Sequence, residues 1–156
     1  MVGVMLFLNN ITRVILIGLI LGLLMGGCAE ESEIERTKRL ANDGDSTSQF
    51  NLGVIYANGK GVPQDYKEAV RWYRMSADQG NALAQSNLGN RYYNGEGVPQ
   101  DYKEAYAWWS VAKANDGELA VKNLGILTKK MTKEQIAEAQ SLSTKIYNRI
   151  EANRKD

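Results

Sequence analysis

Apolar positions between residues 80 and 115 follow a helical period in two consecutive stretches. Ala84, Leu88 and Tyr92 recur at i, i+4 and i+8, which places them on one face of a helix. After a glycine-rich interruption, a second apolar stripe is made by Ala105, Trp108, Trp109 and Ala112. Two such stripes joined by a short polar segment predict a pair of packed helices.

Polar residues mark where these helices begin and end. Asn81 is placed to cap the first helix, and Gly95 stands where a left-handed residue ends it. Asp101 is followed three residues later by Glu104, which predicts a capping box at the start of the second helix. The connecting loop between the two helices is therefore short and rich in glycine.

The same pattern occurs twice along the chain. Residues 44–79 and 80–115 align without a gap and are identical at 18 of 36 positions. The matching segments are Asn51–Gly53 with Asn87–Gly89, Tyr56 with Tyr92, Asn58 and Gly59 with Asn94 and Gly95, Gly61–Ala69 with Gly97–Ala105, and Trp72 with Trp108. A period of this length indicates stacked supersecondary units, which usually serve as binding surfaces.

Through these Asn-Leu-Gly, Tyr, Asn-Gly-x-Gly-Val-Pro-x-Asp-Tyr and Trp positions, the chain resembles the Sel1-like repeat family over residues 44–115. The segment Met131–Gln140 also resembles the closing helix that is common in bacterial members. The resemblance implies an all-α fold, a right-handed TPR-like α-solenoid of antiparallel helix pairs with a C-terminal capping helix. It also implies an adaptor surface for multiprotein assemblies and no conserved catalytic residues.

Both ends of the array differ from the two full repeats. At the N-terminal end, Glu33–Asp43 aligns partly with the second helix of a repeat. At the C-terminal end, Asn123–Gly125 is in register with Asn87–Gly89 of the second repeat. Thr132 and Gln135 then predict a capping box for a final helix. We therefore divide the chain into a signal segment (1–27), a tether with a half repeat (28–43), two repeats (44–79 and 80–115), and a partial third repeat with a capping helix (116–156).

The glycine and tryptophan positions that recur in both repeats predict how the helices pack. Gly53 and Gly89 lie inside helices, where glycine costs about 1 kcal/mol relative to alanine, so we expect a second backbone to approach closely there. Aromatic residues at helical spacing are typical of a core. We expect Trp72, Trp108 and the leucine of each Asn-Leu-Gly segment to share one interior.

Positions opposite the apolar stripe of the first helices are the candidate partner-binding residues. They are Phe50, Asn51, Val54, Ser86, Asn87, Asn90 and Asn94. Phe50 and Val54 form an apolar i, i+4 pair that suits a partner anchor. Two alternatives remain open: Phe50 packs on Ile34 or Leu40 of the half repeat, and the asparagines brace the loop backbone.

An apolar run at Val14–Met25 follows Arg13 and precedes Gly26, Gly27 and Cys28. This order reads as a signal peptide, and the cysteine after two glycines resembles a bacterial lipobox. The resemblance implies a lipid on Cys28 and, because Ala29 follows, an outer-membrane location facing the periplasm in a Gram-negative cell envelope. An uncleaved anchor and an ordinary secretory signal remain the alternatives, and Met5 is a second possible start.

Composition narrows the chemistry further. Arg13 is the one basic residue of the leader, so 18 basic residues face 18 acidic residues in the rest of the chain, which argues against nucleic-acid binding. With no histidine and one cysteine, the chain lacks the usual catalytic dyads and zinc ligand sets, and we expect no metal and no cofactor.

Binding therefore ranks above catalysis. We predict a non-enzymatic adaptor that binds a protein or peptide on its concave helical face, with an undetermined oligomeric state. One alternative is an envelope hydrolase that uses the carboxylates at the helix starts. An example of such a reaction is the β-lactamase-like activity that has been proposed for cysteine-rich relatives. The other is an accessory subunit of a larger envelope complex.

Overall fold

The computed structural model describes residues 31–115 and 118–154, and within this part of the chain it contains helices and no strand. The helices are α1 (Glu33–Asn42), α2 (Ser46–Asn58), α3 (Tyr66–Asp78), α4 (Ala82–Asn94), α5 (Tyr102–Ala114), α6 (Glu118–Leu127) and α7 (Lys133–Asn153), with a 3-10 turn at Thr128–Lys130. The predicted all-α class is confirmed. The signal segment and Cys28 lie outside the described residues. No helix in the described part has the length and apolar character of a membrane span.

Helix starts follow the predicted caps, with one difference. Asn81 accepts a hydrogen bond from the Ala84 amide at 3.0 Å, and Asp101 accepts from two amides of the first turn of α5. Glu104, however, does not complete a capping box, because its Oε2 accepts from the indole nitrogen of Trp108 at 3.1 Å. The complete capping box is at the start of α7, where the Thr132 and Gln135 side chains each accept from the other's backbone amide.

Successive helices form antiparallel hairpins, α2 with α3 and α4 with α5. In the first hairpin, Ser76 Oγ near the end of α3 donates to the Ser46 carbonyl at the start of α2, at 2.7 Å. In the second, Asn115 Nδ2 after α5 donates to Gln85 Oε1 near the start of α4, at 3.1 Å. The start of each first helix therefore lies beside the end of the second helix, as the hairpin prediction requires.

A buried glutamine connects each repeat to the unit before it. Gln49 Nε2 donates to the Ala41 carbonyl of α1 at 3.1 Å, and Gln85 Nε2 donates to the Ala77 carbonyl of α3 at 3.0 Å. Both glutamine residues are at most 2 % exposed. Because a buried amide without a partner costs about 1–3 kcal/mol, these two bonds favour one stacking arrangement over others. The two glutamines match in the repeat alignment, but the pattern analysis did not single them out.

Within the described residues, buried side chains form three hydrophobic clusters, so the expected single interior is wrong. Trp72 and Leu52 pack with Ala41 in the first cluster, whereas Trp108 and Leu88 belong to the central one. A third cluster contains Ala105, Trp109, Ala112, Ala120 and Leu127. Tyr56 packs against the first and central clusters, and Tyr92 packs against the central and third clusters. The central cluster contains Tyr73 of the first repeat together with Leu88 and Trp108 of the second, so the core layers lie between neighbouring units, and tyrosines bridge the layers.

Gly53 and Gly89 lie against aromatic rings, and not against the second backbone that the sequence led us to expect. A Cβ atom added at Gly53 would lie 2.6 Å from the ring of Tyr73, and one added at Gly89 would lie 2.6 Å from the ring of Trp109. Both distances are shorter than a carbon–carbon contact allows. The glycines therefore make room for the second helix of the same hairpin to place its ring against the first.

The final helix α7 packs along α5. Lys103 near the start of α5 is paired with Glu138 near the start of α7 at 2.9 Å, so the two helices run in the same direction. The apolar stripe of α7 faces this interface: Ala139, Ile146 and Ile150 are buried, and Leu142 is partly buried against the central cluster. Further along α7, Arg149 pairs with Asp78 at the end of α3. The capping helix thus covers the second helices of both repeats.

Candidate partner-binding face

Five asparagines follow the outer positions of the first helices, and we call them the asparagine row. They are Asn51 on α2, Asn87, Asn90 and Asn94 on α4, and Asn123 on α6. The register is that of the repeat, because Asn51, Asn87 and Asn123 are each 36 residues apart. Asn51 and Asn94 are exposed, and the other three are partly buried.

Phe50 and Val54 are less exposed to solvent than the sequence-based prediction assumed. Both are partly buried against the central cluster, and the ring centroid of Phe50 lies 6.0 Å from that of Tyr73. Phe50 therefore contributes to the interior of its own hairpin, whereas the sequence-based alternative had placed it on Ile34 or Leu40. For Phe50 to anchor a partner, its contact with the Tyr73 ring would have to break.

Ser86 does not belong on the partner-binding surface. It is 7 % exposed, and its backbone carbonyl accepts a hydrogen bond from Trp109 Nε1 at 3.1 Å. The helical wheel placed Ser86 opposite the apolar stripe, but Trp109 of α5 packs on this side of α4, against Gly89 and the Ser86 carbonyl. The prediction for this residue is corrected accordingly.

Three asparagines of the row make hydrogen bonds within the protein. Asn87 Nδ2 donates to the Leu83 carbonyl at 2.9 Å, which holds its amide against α4. Asn90 Oδ1 accepts from Asn123 Nδ2 at 3.2 Å, and this bond joins α4 to α6. Asn90 thus braces neighbouring units, while the exposed Asn51 and Asn94 present polar groups to solvent.

Two open cavities adjoin the asparagine row. The larger, of about 490 Å³, is lined by Glu33, Ile34, Thr37, Asn51, Val54, Ile55, Lys60 and Gly61. The smaller, of about 230 Å³, is lined by Asn90, Tyr93, Trp109, Asn123 and Ile126. Each combines apolar walls with amide or hydroxyl groups, which is the usual character of a site for a peptide side chain. Sequence reasoning missed Thr37 because it treated α1 only as the end of the array. It also missed Ile55, which lies on α2 next to the candidate residue Val54.

Carboxylates at the helix starts are engaged in structural bonds. Asp65 accepts from the amides of Lys67 and Glu68 at 2.8 and 3.1 Å, and Glu68 pairs with Arg71 at 2.9 Å. Among the described residues, no group of three or more histidine, cysteine, aspartate or glutamate side chains is placed to hold a metal ion. Asp65 therefore caps a helix and Glu68 forms an ion pair, and neither contact supports a role in hydrolysis.

Tyrosines next to the row remain uncharged near neutral pH. Burial raises the pKa of Tyr73 to about 12. Burial also raises the pKa of Tyr92, although the nearby Arg74 guanidinium, to which its hydroxyl is bonded, acts in the opposite direction. Neither phenol is poised for proton transfer, which needs a pKa near the working pH. Tyr73 and Tyr92 therefore contribute packing, and not acid–base chemistry, behind this face.

The Sel1 repeat family model matches the chain at residues 46–81 and 82–116. A protective antigen present in uropathogenic Escherichia coli strains, whose structure displays an SLR fold, is 39% identical with a TM-score of 0.73, over 75% of this chain and 25% of that chain. A Sel1 repeat protein from Oxalobacter formigenes is 40% identical with a TM-score of 0.57, over 58% of this chain and 26% of that chain. The chain therefore spans about a quarter of the length of these two proteins. No curated protein matches it.

Proposed function

Since the chain is a Sel1-like repeat protein, with two Sel1 repeats over residues 46–116, we propose that it is a protein-interaction scaffold of the bacterial cell envelope. The observation that carries the proposal is the asparagine row with an open cavity at either end. Proteins built from Sel1 repeats generally act by binding other proteins rather than by catalysis. The partner is an unidentified protein or peptide.

Recognition at this face follows from the properties of its residues. Exposed amides at Asn51 and Asn94 can donate to and accept from a peptide backbone, while the cavity beside Asn51 offers Ile34, Val54 and Ile55 to an apolar side chain. The helices behind the row are held by caps and by buried aromatic rings. A surface that is already ordered loses little conformational entropy when a partner binds, which favours affinity.

Location is the second part of the proposal. The apolar run at Val14–Met25 and the Gly-Gly-Cys sequence that ends at Cys28 support export and attachment of acyl chains to that cysteine. Two or more acyl chains hold a protein stably at a membrane, whereas one chain is marginal at about 0.8 kcal/mol per buried methylene. Anchoring would raise the concentration of the binding face near envelope partners. In a Gram-negative cell, Ala29 favours the outer membrane.

Arginine at Asn51 and at Asn94 is expected to weaken partner capture at the asparagine row. The longer charged side chain replaces an exposed amide and fills the space that a bound peptide would occupy. In cells, crosslinking followed by mass spectrometry should recover the main partner about tenfold less with the Asn51→Arg/Asn94→Arg variant, which corresponds to about 1.4 kcal/mol of lost affinity. The matched control is Asn148→Arg, the same change at an exposed position on α7. Equal recovery from all three proteins would contradict the proposed face.

Replacement of Cys28 by alanine is expected to release the protein from the membrane fraction or leave it unprocessed. The thiol is the only acceptor in the chain for a thioether-linked lipid. Fractionation with metabolic labelling by a fatty-acid analogue measures both effects, and Cys28→Ser repeats the test with a more similar side chain. If the protein is still labelled and membrane-bound after either substitution, the lipid is not attached to Cys28. The assay reports on anchoring alone and is independent of the binding face.

A further inference from the structure

Helix α6 repeats the sequence of the first helices but leaves the corresponding surface open. Gly125 aligns with Gly53 and Gly89 in the Asn-Leu-Gly segments. Those two glycines are buried under an aromatic ring, whereas Gly125 is exposed, and no described atom lies within 4 Å of a Cβ added to it. The neighbouring residues on this side of the helix, Val121 and Lys122, are also exposed, with Val121 50 % accessible.

The reason lies in the position of α7. In the two complete repeats the residue that covers the glycine is Tyr73 or Trp109, eight positions after the N-cap of the second helix, and eight positions after Thr132, the N-cap of α7, the chain has Gln140. Gln140 is exposed and donates to the Tyr106 hydroxyl of α5 at 3.4 Å, because α7 packs along α5 instead of forming a hairpin with α6. The third unit therefore has a first helix without the second helix that covers it in the other two. We call the surface of Val121, Lys122 and Gly125 the open face of α6.

We propose that the open face of α6 binds an amphipathic helix from another protein, which places a tryptophan ring against Gly125. The complete repeats define the chemistry of this occupant, because the same interface is present twice within the protein. At the aligned surface of α4, the Trp109 ring covers Gly89, and its Nε1 donates to the Ser86 carbonyl at 3.1 Å. The carbonyl that aligns with this acceptor is that of Lys122.

A second copy of this chain is a poor occupant of the open face. Residues 120–133 contain four lysines and no acidic residue, so two open faces brought together would place like charges in contact. The half-repeat helix α1 offers no ring either, since Thr37 stands 36 residues before Tyr73. A helix from a different protein, with an aromatic residue flanked by small ones, avoids both problems.

The binding helix can be tested with a peptide taken from the chain itself. Residues 101–115 comprise α5 with its cap and carry Trp109 in the required position. A fluorescent, helix-stabilised peptide of this sequence is expected to bind the full chain. Gly125→Ala should weaken binding about tenfold or more, since the added methyl group would occupy the place of the ring, and Trp109→Ala in the peptide should have a similar effect. Thermal unfolding of Gly125→Ala should occur no lower than in the wild type, because the free protein has space for the methyl group.

Several outcomes would overturn this inference. They are absence of peptide binding to the wild type, equal binding by the Gly125→Ala variant, and a self-association of the wild type that Gly125→Ala abolishes, which would assign the open face to a second copy. The inference goes beyond the proposed function, because it concerns a different surface. The Asn51→Arg/Asn94→Arg variant should bind the peptide as the wild type does, so a failure at the asparagine row and a failure at the open face are distinguishable.

Discussion

Trp108→Ala is expected to lower the free energy of unfolding by about 3–5 kcal/mol, the usual cost of removing a large buried aromatic side chain. Trp108 is 1 % exposed and belongs to the central cluster, which also contains Leu88 of α4 and Ile146 and Ile150 of α7. Its removal leaves a cavity where both hairpin helices and the capping helix meet. It also removes the indole nitrogen that donates to Glu104. Urea unfolding followed by circular dichroism measures the change.

A loss of this size is a large part of the stability of a small domain, which is about 5–15 kcal/mol. Trp108→Phe provides an intermediate case if the alanine variant does not fold, since it keeps a six-membered aromatic ring but loses the indole hydrogen bond and part of the buried volume. Tyr147→Ala on α7 is the control, because Tyr147 is 39 % exposed and its loss should change stability by no more than about 0.5 kcal/mol. Wild-type stability in the Trp108→Ala variant would show that the central cluster does not hold the repeats together.

Gly89→Ala is expected to destabilise the protein by about 2 kcal/mol, although alanine is the better helix former by about 1 kcal/mol. The added methyl group would lie 2.6 Å from the Trp109 ring. The ring is 3 % exposed and its Nε1 is bonded to the Ser86 carbonyl, so it has little room to move away. Overpacking of this kind typically costs more than the helix propensity returns. Urea unfolding gives the difference directly.

Gly125→Ala is the matched control, the same substitution at the aligned position of the third unit. With no described atom within 4 Å of the new methyl group, helix propensity acts alone there, and the variant should gain up to about 1 kcal/mol. The two identical changes are therefore expected to have opposite signs. If both stabilise the protein, the ring of Trp109 is not held against Gly89 in solution.

Some features of the binding face could be predicted from the sequence, and others could not. The exposed positions of Asn51 and Asn94 follow from the helical period. The burial of Ser86 does not, because Trp109, which packs on that side of α4, lies 23 positions away on another helix. The contact between Phe50 and Tyr73 could not be predicted either, because it also joins residues of two different helices. A helical wheel assigns each residue a direction, but the size of the neighbouring side chain decides whether that direction is covered.

By itself, the sequence determined the local structure: helices capped at Asn81, Asp101 and Thr132, and a pair of matched hairpins with a 36-residue period. These features depend on hydrogen bonds and apolar spacing within a few residues, which a linear pattern records. Only the tertiary structure decided that rings, and not a second backbone, lie against Gly53 and Gly89, and that α7 joins α5 and leaves Gly125 uncovered. Such choices depend on which distant surfaces fit one another best, and no single segment of the chain contains that information.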